Sequence, residues 1–439
     1  MRRVNRFSFR FIAALVFALV GGLAGVPQFV APVDAAGVNS LRLSATYDVT
    51  ASFSWSTRAV SVHTTAHVTN PTGASVSTIA FNLATLRTGT ARVGVVTVRG
   101  STVSESISDQ TVLVPVSPAL SPGSSADVVI NYTANLASTA GGYKWEFTRT
   151  NGVLTAYRWI PWLSRTMRFS NAGGGEATET PTTSHVHVVI TTDQALVVAT
   201  SGRPTASNGL TQTLDAYNVR DFNFSAAPDY RTASRQTADG KTITFYYRRL
   251  PPTTVLNRAV QAFDYHTAQV GSYPYDQLNI AEIGPWYSME SPGLNWIQSN
   301  SGGLLAYDVV HEVAHEWFYS TVGNDQALEP FADEALAEFL SRDVVSQPWA
   351  SSRCPNGNLD RTIYARPGSC YVPVVYYQGY LYLKAYRDHV GASAFWQGLH
   401  NYYAANKFGI GGTRALLDAL DAASNYHPNH AARFPSLYP

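Results

Sequence analysis

The chain has 439 residues, of which 45% are hydrophobic and only 14% charged, and its formal net charge is +1. This length is typical of two or three domains with a substantial core, and the apolar share excludes a disordered chain. The near-neutral charge excludes a strongly basic nucleic-acid-binding protein, so we expect no nucleic-acid partner.

Residues 1–35 have the pattern of a secretory signal peptide. Four arginines precede an apolar run from Phe11 to about Val26, and the small residues Val33 and Ala35 follow. We therefore expect cleavage near Ala35, which leaves a secreted protein, free or associated with the cell envelope, without a membrane span. The alternative is an uncleaved anchor helix, but the apolar run is short for a membrane-spanning segment.

Residues 36–250 are predicted to form an antiparallel, sandwich-like β-domain. Segments such as 92–98 and 184–190 alternate apolar and polar residues, and turn-forming clusters at 70–73 and 121–123 separate such segments. This alternation places one face of each segment in a core and the other face in solvent.

Two pairs of histidines lie in this β-domain. His185 and His187 share one face of a predicted strand, and His63 and His67 are close in sequence. A zinc site needs at least three protein ligands, and the sequence offers no third candidate near either pair. We therefore interpret both pairs as surface histidines.

Residues 251–439 are predicted to form a second domain, rich in helices and with a small sheet. Apolar residues spaced three and four apart predict a helix over 253–270, and a short strand follows at 278–281. Further helical patterns cover 311–320, 333–341, 380–389 and 413–423. The predicted fold class is therefore α+β with more than one domain.

The segment His311-Glu312-Val313-Ala314-His315 is an H-E-x-x-H motif. On a helix, residues four apart lie on one face, so both imidazoles can bind one zinc ion while Glu312 lies beside the metal as a general base. The alternative is a chance match on a solvated helix, which we expect in roughly one per cent of chains this long.

A third ligand follows His315 after eighteen intervening residues, at Glu334. Pro330 suits the start of a second helix, which places Glu334 in its first turns. Two histidines and one glutamate leave a fourth zinc position open for water, as in catalytic rather than structural sites. Zinc lowers the pKa of such a water and polarises a peptide carbonyl. We expect one Zn²⁺ per chain.

The spacing of these three ligands resembles the aminopeptidase N (M1) family of gluzincin zinc metallopeptidases. Further segments resemble family motifs: Gly271-Ser272-Tyr273-Pro274-Tyr275, Met289-Glu290-Ser291 in place of Met-Glu-Asn, and Tyr376-Tyr377-Gln378-Gly379 in place of Tyr-x-Lys-Gly. The resemblance covers about residues 250–425 and implies an N-terminal β-domain followed by a thermolysin-like α/β catalytic domain. The chain ends about 105 residues after Glu334, so we expect a short form without the C-terminal helical domain of large members.

The resemblance implies that His311, His315 and Glu334 bind zinc. It also implies that Glu312 takes a proton from water and later passes it to the leaving amine. Tyr376 would donate a hydrogen bond to the oxyanion of the tetrahedral intermediate. The neighbouring Tyr376–Tyr377 pair leaves the alternative that Tyr376 is a core residue.

The resemblance further implies that Glu290 pairs with the free α-ammonium of the substrate, and that the backbone around Met289–Ser291 binds the substrate as an edge strand. The alternative for Glu290 is an ordinary surface carboxylate. Glu338 lies four residues after Glu334 on the same helix face, where it either orients His311 or is a solvated charge.

Cys354 and Cys370 are the only two cysteines. In an exported chain, such a close pair predicts one disulfide bond, and the alternative is two buried free thiols. The short enclosed loop would give a stabilisation of about 3 kcal/mol in the chain-entropy model.

These observations predict a secreted zinc-dependent metallopeptidase that acts on peptides and, most simply, releases their N-terminal residues. The first alternative is an endopeptidase that uses the same zinc. The second is an exported binding module without catalysis, although all three ligands and the general base are present. The sequence does not indicate an oligomeric state or a preferred N-terminal side chain.

Overall fold

The computed structural model describes residues 39–169, 177–346, 354–355, 357–365 and 368–438. The predicted signal peptide, residues 1–35, lies outside these ranges. None of the helices in the described ranges is both long and apolar enough to cross a membrane.

Alternating sequences form the first half of the molecule. Within the described ranges the strands are, in order, β1 (Ser44–Phe53), β2 (Ala59–Thr69), β3 (Val76–Asn82), β4 (Arg92–Val98), β5 (Ser101–Val103), β6 (Ser106–Ser108), β7 (Thr111–Leu120), β8 (Ser125–Asn135), β9 (Phe147–Thr150), β10 (Val153–Ala156), β11 (Trp162–Leu163), β12 (Val186–Thr192), β13 (Val197–Thr200), β14 (Arg203–Ser207), β15 (Thr211–Ala216), β16 (Phe224–Ala227), β17 (Arg231–Gln236), β18 (Thr242–Tyr247), β19 (Gln277–Ile283) and β20 (Leu294–Gln298).

An eight-stranded sheet in the order β14-β15-β12-β1-β2-β8-β4-β5 forms the largest layer of the first half. Every second residue of β2 and β8 is buried, as the alternating pattern predicts. The sheet is antiparallel except at β1 and β12, which run parallel. Two four-stranded sheets, β13-β16-β10-β9 and β11-β3-β7-β6, complete this region. Its core contains Phe53, Trp159 and Phe224, whose rings meet edge to face.

Helices dominate the second half. They are α1 (Pro252–Gln269), α2 (Leu305–Ala314), α3 (Leu336–Val344), α4 (Gly379–Val390), α5 (Ala392–Asn406) and α6 (Thr413–Ser424), with π-helical segments at Phe331–Ala335 and Val372–Gln378. Short 3₁₀ turns occur in both halves, at Ala84–Thr88, Gly142–Glu146, Gly302–Leu304, Ile363–Ala365, Gly368–Cys370 and His430–Ala432. The predicted α+β class is therefore confirmed.

The small sheet of the second half has the order β17-β18-β19-β20. Two of its strands, β17 and β18, lie before residue 251, where we predicted the boundary. They form an antiparallel hairpin that joins β19 in parallel. The Pro251-Pro252 pair marks the start of α1, because proline suits the first turn of a helix. The chain thus enters the second sheet before it reaches the prolines.

Two helix predictions need correction. The predicted helix over 311–320 is in fact α2, which starts six residues earlier and ends at Ala314. After Ala314 the N–H groups of Glu316 and Trp317 donate to carbonyl oxygens three residues earlier, so turns replace the α-helical hydrogen-bond pattern. Tyr319 then takes a positive φ of 144°, and the helix does not resume. The helix α5 was missed because Gly398 interrupts its pattern. A Cβ at Gly398 would lie 2.8 Å from the Cα of Leu420, so close packing against α6 requires this glycine.

A buried arginine joins the two halves. The guanidinium of Arg220 donates hydrogen bonds to the carbonyl oxygens of Thr180 at 2.8 Å and Gly409 at 3.0 Å. A Cβ at Gly323 would lie 2.0 Å from this guanidinium, so the glycine leaves the space that the arginine fills. These contacts fix the β-sheets against the helical half, where the candidate site lies.

Candidate metal centre

The three predicted metal ligands meet at the end of α2. His311 lies within α2, His315 directly follows its last residue, and Glu334 lies in the π-helical segment Phe331–Ala335. The Nε2 atoms of the two histidines are 3.2 Å apart, and Glu334 Oε2 lies 3.2 Å from His311 Nε2 and 3.5 Å from His315 Nε2. His315 keeps helical dihedral angles, so the two imidazoles still lie one turn apart on one face.

This triangle fits a zinc ion. Bonds of about 2.0–2.2 Å from tetrahedral zinc to nitrogen and oxygen give about 3.3–3.6 Å between neighbouring ligands. The three observed separations, 3.2, 3.2 and 3.5 Å, are close to these values. Two imidazoles and one carboxylate are also a donor set that zinc prefers. All three side chains are buried, which limits competition from water at all but the open position.

Each imidazole of this triangle has an acceptor behind it. His315 Nδ1 lies 2.8 Å from Asp333 Oδ1 and 3.1 Å from the carbonyl oxygen of Phe318. His311 Nδ1 lies 3.4 Å from the hydroxyl of Tyr307 and 3.9 Å from Glu338 Oε2. An acceptor at Nδ1 orients the ring and leaves Nε2 for the metal. Asp333 was missed by the sequence analysis.

Glu338 lies at the back of the site. It is fully buried, accepts a hydrogen bond from Tyr307 and pairs with Arg342. The idea of a solvated charge is therefore wrong, because the helix face that carries Glu338 packs inward. The orientation of His311 by Glu338 stays a prediction.

Glu312 lies beside the ligands, in a cluster with Glu290. Ligand atoms of Glu290, Glu312 and His315 all lie within 4.8 Å of one another. Burial raises the pKa of Glu312 well above its ordinary value, and the nearby carboxylates add to this effect. A buried carboxylate beside the candidate ligands is suited to proton transfer. Glu290 is 4% exposed and is not an ordinary surface carboxylate.

The two neighbouring tyrosines, Tyr376 and Tyr377, have different surroundings. The ring of Tyr376 stacks on that of His311, with centroids 5.5 Å apart and planes 11° apart. The ring of Tyr377 instead lies 5.3 Å from the guanidinium of Arg342. Burial, followed by the nearby Glu334, raises the pKa of Tyr376 well above 10, so its hydroxyl stays protonated and can donate a hydrogen bond.

Both π-helical segments carry site residues, Glu334 in the first and Tyr376 in the second. Such segments are rare and are frequently found at functional sites. They pack closely, since a Cβ at Gly379 would lie 2.5 Å from the Cβ of Ala335. Gly379, three residues after Tyr376, therefore allows the segments that carry Tyr376 and Glu334 to approach each other. The disulfide bond between Cys354 and Cys370 precedes the second segment.

The predicted substrate-binding segment lies next to β20. Met289 exchanges both backbone hydrogen bonds with Trp296, at 3.0 and 2.8 Å. The side chain of Ser291 accepts a hydrogen bond from Asn223 at 2.7 Å, which ties this segment to the β-sheet half. The backbone groups of Met289 are thus already used, and the binding roles of Met289 and Ser291 stay predictions.

Other clusters in the molecule are less suited to chemistry. A cavity of about 600 Å³ lies at one end of the eight-stranded sheet, and among its lining residues only Arg92 and Asp193 are charged. His185 and His187 both contact Asp215 on the open face of that sheet. Within the described ranges, groups of three close ligands occur only at the cluster of His311, His315 and their neighbours.

Comparison with solved structures identifies the fold. An M1 zinc metallopeptidase from Deinococcus radiodurans matches 91% of this chain and 94% of its own, with a TM-score of 0.68 and 20% identity. A mutant of this enzyme bound to a Tyr-Ser-Ala substrate matches 88% and 92%, with a TM-score of 0.66 and 18% identity. A two-domain M1 zinc metallopeptidase mutant bound to L-tryptophan matches 91% and 95%, with a TM-score of 0.66 and 19% identity.

The chain therefore has the fold of the M1 zinc metallopeptidases, as the sequence resemblance implied. No protein-family model matches it. Among curated proteins, aminopeptidase RNPEPL1 of Mus musculus and of Homo sapiens are 32% identical to it over 88 residues. This segment is 19% of this chain and only 12% of each relative, so the chain matches a small part of their length.

Proposed function

We propose that this chain is a zinc-dependent peptidase of the M1 family that releases N-terminal residues from peptides. The observation that carries the proposal is the triangle of His311, His315 and Glu334 with Glu312 beside it. One zinc ion per chain would be held by these three side chains. The fold, shared with M1 zinc metallopeptidases, supports the same conclusion.

Zinc, when bound, supplies Lewis-acid polarisation of the scissile carbonyl and lowers the pKa of a water molecule. Glu312 would accept a proton from this water and return it to the leaving amine. The burial of its carboxylate close to His315 supports this role. The protonated hydroxyl of Tyr376, on the ring stacked against His311, would donate a hydrogen bond to the developing oxyanion.

Glu290 would restrict hydrolysis to the first peptide bond. Its buried carboxylate lies in the same cluster as Glu312, so an ammonium group bound there places the first carbonyl near the metal. A free amino terminus would thus be both bound and positioned. The peptide Tyr-Ser-Ala bound to one structural neighbour supports peptides as the substrate class.

We further propose that the mature protein begins near residue 36 and is secreted, as the sequence of residues 1–35 indicates. The disulfide bond between Cys354 and Cys370 supports this, because such bonds persist in oxidising compartments. The proposed domains are 36–250 and 251–439, with the hairpin of β17 and β18 contributed by the first to the sheet of the second.

A panel of aminoacyl-naphthylamides, each beside its N-acetylated counterpart, tests the proposal. The mature protein is measured as purified, after chelation and after zinc is restored. We expect hydrolysis of the free-amine set only, lost with chelator and regained with zinc. Equal hydrolysis of N-acetylated peptides would instead indicate an endopeptidase. No hydrolysis by a protein that holds one zinc would favour a binding module.

A further inference from the structure

A buried glutamine links the proposed amine anchor to a metal ligand. The amide nitrogen of Gln326 donates hydrogen bonds to Glu290 Oε1 at 2.9 Å and to Asp333 Oδ2 at 2.8 Å. The other oxygen of Asp333 lies 2.8 Å from His315 Nδ1. Glu290, Gln326, Asp333 and His315 are all less than 5% exposed. The positions of Glu290 and His315 are therefore coupled through one carboxamide.

The orientation of this carboxamide is fixed from its other side. Its oxygen accepts a hydrogen bond from Arg158 Nη2 at 2.9 Å and another from the hydroxyl of Thr178. All four hydrogen-bonding positions of the amide are thus filled. A flipped amide would turn its NH₂ toward the guanidinium and its oxygen toward two carboxylates. Arg158 therefore holds the amide with its donors toward Glu290.

Arg158 is itself strongly constrained. Its guanidinium lies between the rings of Tyr157 and Tyr319, at 4.6 and 5.1 Å from their centroids. It hydrogen-bonds Asp221 at 3.4 Å, and its Nη2 lies 3.9 Å from Glu290 Oε1.

The backbone at Arg158 has a φ of 46°, in the left-handed region. This conformation is unfavourable for a residue with a side chain, because the Cβ comes too close to the backbone. Its backbone N–H donates to the side chain of Asn223, which holds the strained conformation. Strain of this kind persists where the surrounding structure requires it and is concentrated at functional sites.

The charges favour Asp221 as the ion-pair partner of Arg158. The guanidinium is hydrogen-bonded to Asp221, whereas its distance to Glu290 exceeds hydrogen-bonding range. A second cation can therefore still bind Glu290. The hydrogen bond from neutral Gln326 steadies the Glu290 carboxylate without neutralising it. Such a carboxylate suits an ammonium ligand.

We propose that Arg158 and Gln326 are positioning residues that set the selectivity of this enzyme for substrates with a free N-terminal amine. Arg158 fixes the amide of Gln326, and Gln326 fixes the carboxylate of Glu290 where the ammonium binds. The inference rests on the proposed aminopeptidase function and deepens it. An N-acetylated substrate makes no use of this arrangement, so the two residues affect only free-amine substrates.

The test uses Gln326→Met, which keeps the length of the side chain and removes its hydrogen bonds. We expect kcat/KM for a free aminoacyl-naphthylamide to fall about tenfold to hundredfold, the factor for a hydrogen bond to a charged group, and hydrolysis of its N-acetyl form to stay absent. The loss should appear mainly in KM, because the ammonium is bound before and during the reaction. Arg158→Met should give a similar loss, and Arg158→Lys a smaller one.

A binding measurement tests the same point without catalysis. Titration calorimetry with L-tryptophan and with N-acetyl-L-tryptophan should show weaker binding of the free amino acid in Gln326→Met and no change for the acetylated one. Gln326→Glu, which places a third carboxylate beside Glu290 and Asp333, provides a second variant if Gln326→Met does not fold.

Gln110→Met is the matched control. Gln110 is also buried and also accepts a hydrogen bond from an arginine, Arg87 at 2.9 Å, but its amide nitrogen donates to the carbonyl oxygen of Ala177. This variant should keep the selectivity of the wild type. Zinc content is measured for every variant.

An unchanged kcat/KM for the free naphthylamide in zinc-loaded Gln326→Met overturns the inference. So does an equal loss of affinity for L-tryptophan and for N-acetyl-L-tryptophan, which indicates a purely structural role. A wild type that hydrolyses neither set marks the failure of the proposed function itself, whereas an active, selective wild type with unaltered variants marks the failure of this inference alone.

Discussion

Two pairs of histidines in this protein look alike in sequence and differ in the structure. In the first, the helical pair, His311 lies in α2 and His315 directly follows its last residue; in the second, the strand pair, His185 directly precedes β12 and His187 lies within it. In each pair both rings contact one carboxylate, Glu334 in the first and Asp215 in the second. The side chains of the helical pair are 7% and 1% exposed, and those of the strand pair 36% and 37%.

The difference shows what brings histidines and carboxylates into the geometry of a metal site. At the helical pair, a second chain segment brings Glu334 into the gap between two Nε2 atoms, and further carboxylates lie behind the rings. At the strand pair, Asp215 on the neighbouring strand contacts one nitrogen of each ring, and both side chains are partly exposed to solvent. The two pairs therefore differ in their burial and in the number of chain segments that meet at them, and not in residue type.

Removal of a metal ligand gives the largest expected effect. His311→Ala should abolish both zinc binding and hydrolysis, because two ligands remain of three. The double variant His185→Ala/His187→Ala should keep one zinc per chain and normal activity. Zinc is measured by atomic absorption and activity with a free aminoacyl-naphthylamide. Loss of zinc in the strand variant would remove the distinction between the two pairs.

Substitution of the general base comes next. Glu312→Gln should keep zinc, since Glu312 is not a ligand, and should lower kcat by several orders of magnitude because no other group is placed to accept the proton. The measurement is kcat beside zinc content. Near-normal hydrolysis by Glu312→Gln would show that the mechanism is wrong, even if the metal centre is correct.

The neighbouring residues Tyr376 and Tyr377 give a further test, because only one of them lies against His311. Tyr376→Phe should lower kcat about 10²-fold, the usual cost of one lost hydrogen bond to an oxyanion, with little change in KM. Tyr377→Phe is the matched control and should leave kcat nearly unchanged, because its ring lies against Arg342 instead of His311. Steady-state kinetics of the two variants decides between them, and equal losses would exclude the assignment of Tyr376.

The three candidate metal ligands could be found in the sequence because their spacing is local. The spacing of His311 and His315 fixes their shared face, and the distance to Glu334 follows a known pattern. The alternating residues of β2 and β8 likewise predicted half-buried strands.

The network behind Glu290 was not predictable in this way. Arg158 and Gln326 are 168 residues apart and meet only through tertiary packing. Asp333 is adjacent to Glu334, but its contact with His315 depends on a π-helical turn that no periodicity indicates.

A third kind of histidine gives the smallest expected effect, which is a loss of folding stability at low pH. His266 in α1 is fully buried against Trp317, and within the described residues neither ring nitrogen has a hydrogen-bond partner. Burial lowers its pKa from 6.5 to about 3. The unfolded chain therefore binds a proton below pH 6.5 that the folded chain rejects, and stability falls as the pH drops from 6.5 toward 3.

At pH 5 this loss is about 2 kcal/mol, from 1.5 pH units at 1.36 kcal/mol each. His266→Leu keeps the apolar contact with Trp317 and should remove the loss. Denaturant unfolding of zinc-free protein at pH 7.5 and pH 5 measures it as the difference between variant and wild type. The pKa of the partly exposed His67 is raised by hydrogen bonds to Asp48 and Asp127, so its effect on stability changes with pH in the opposite direction. His67→Gln should therefore lose a small stabilisation at pH 5 that is already absent at high pH. A pH-independent difference for His266→Leu would contradict its burial as a neutral ring.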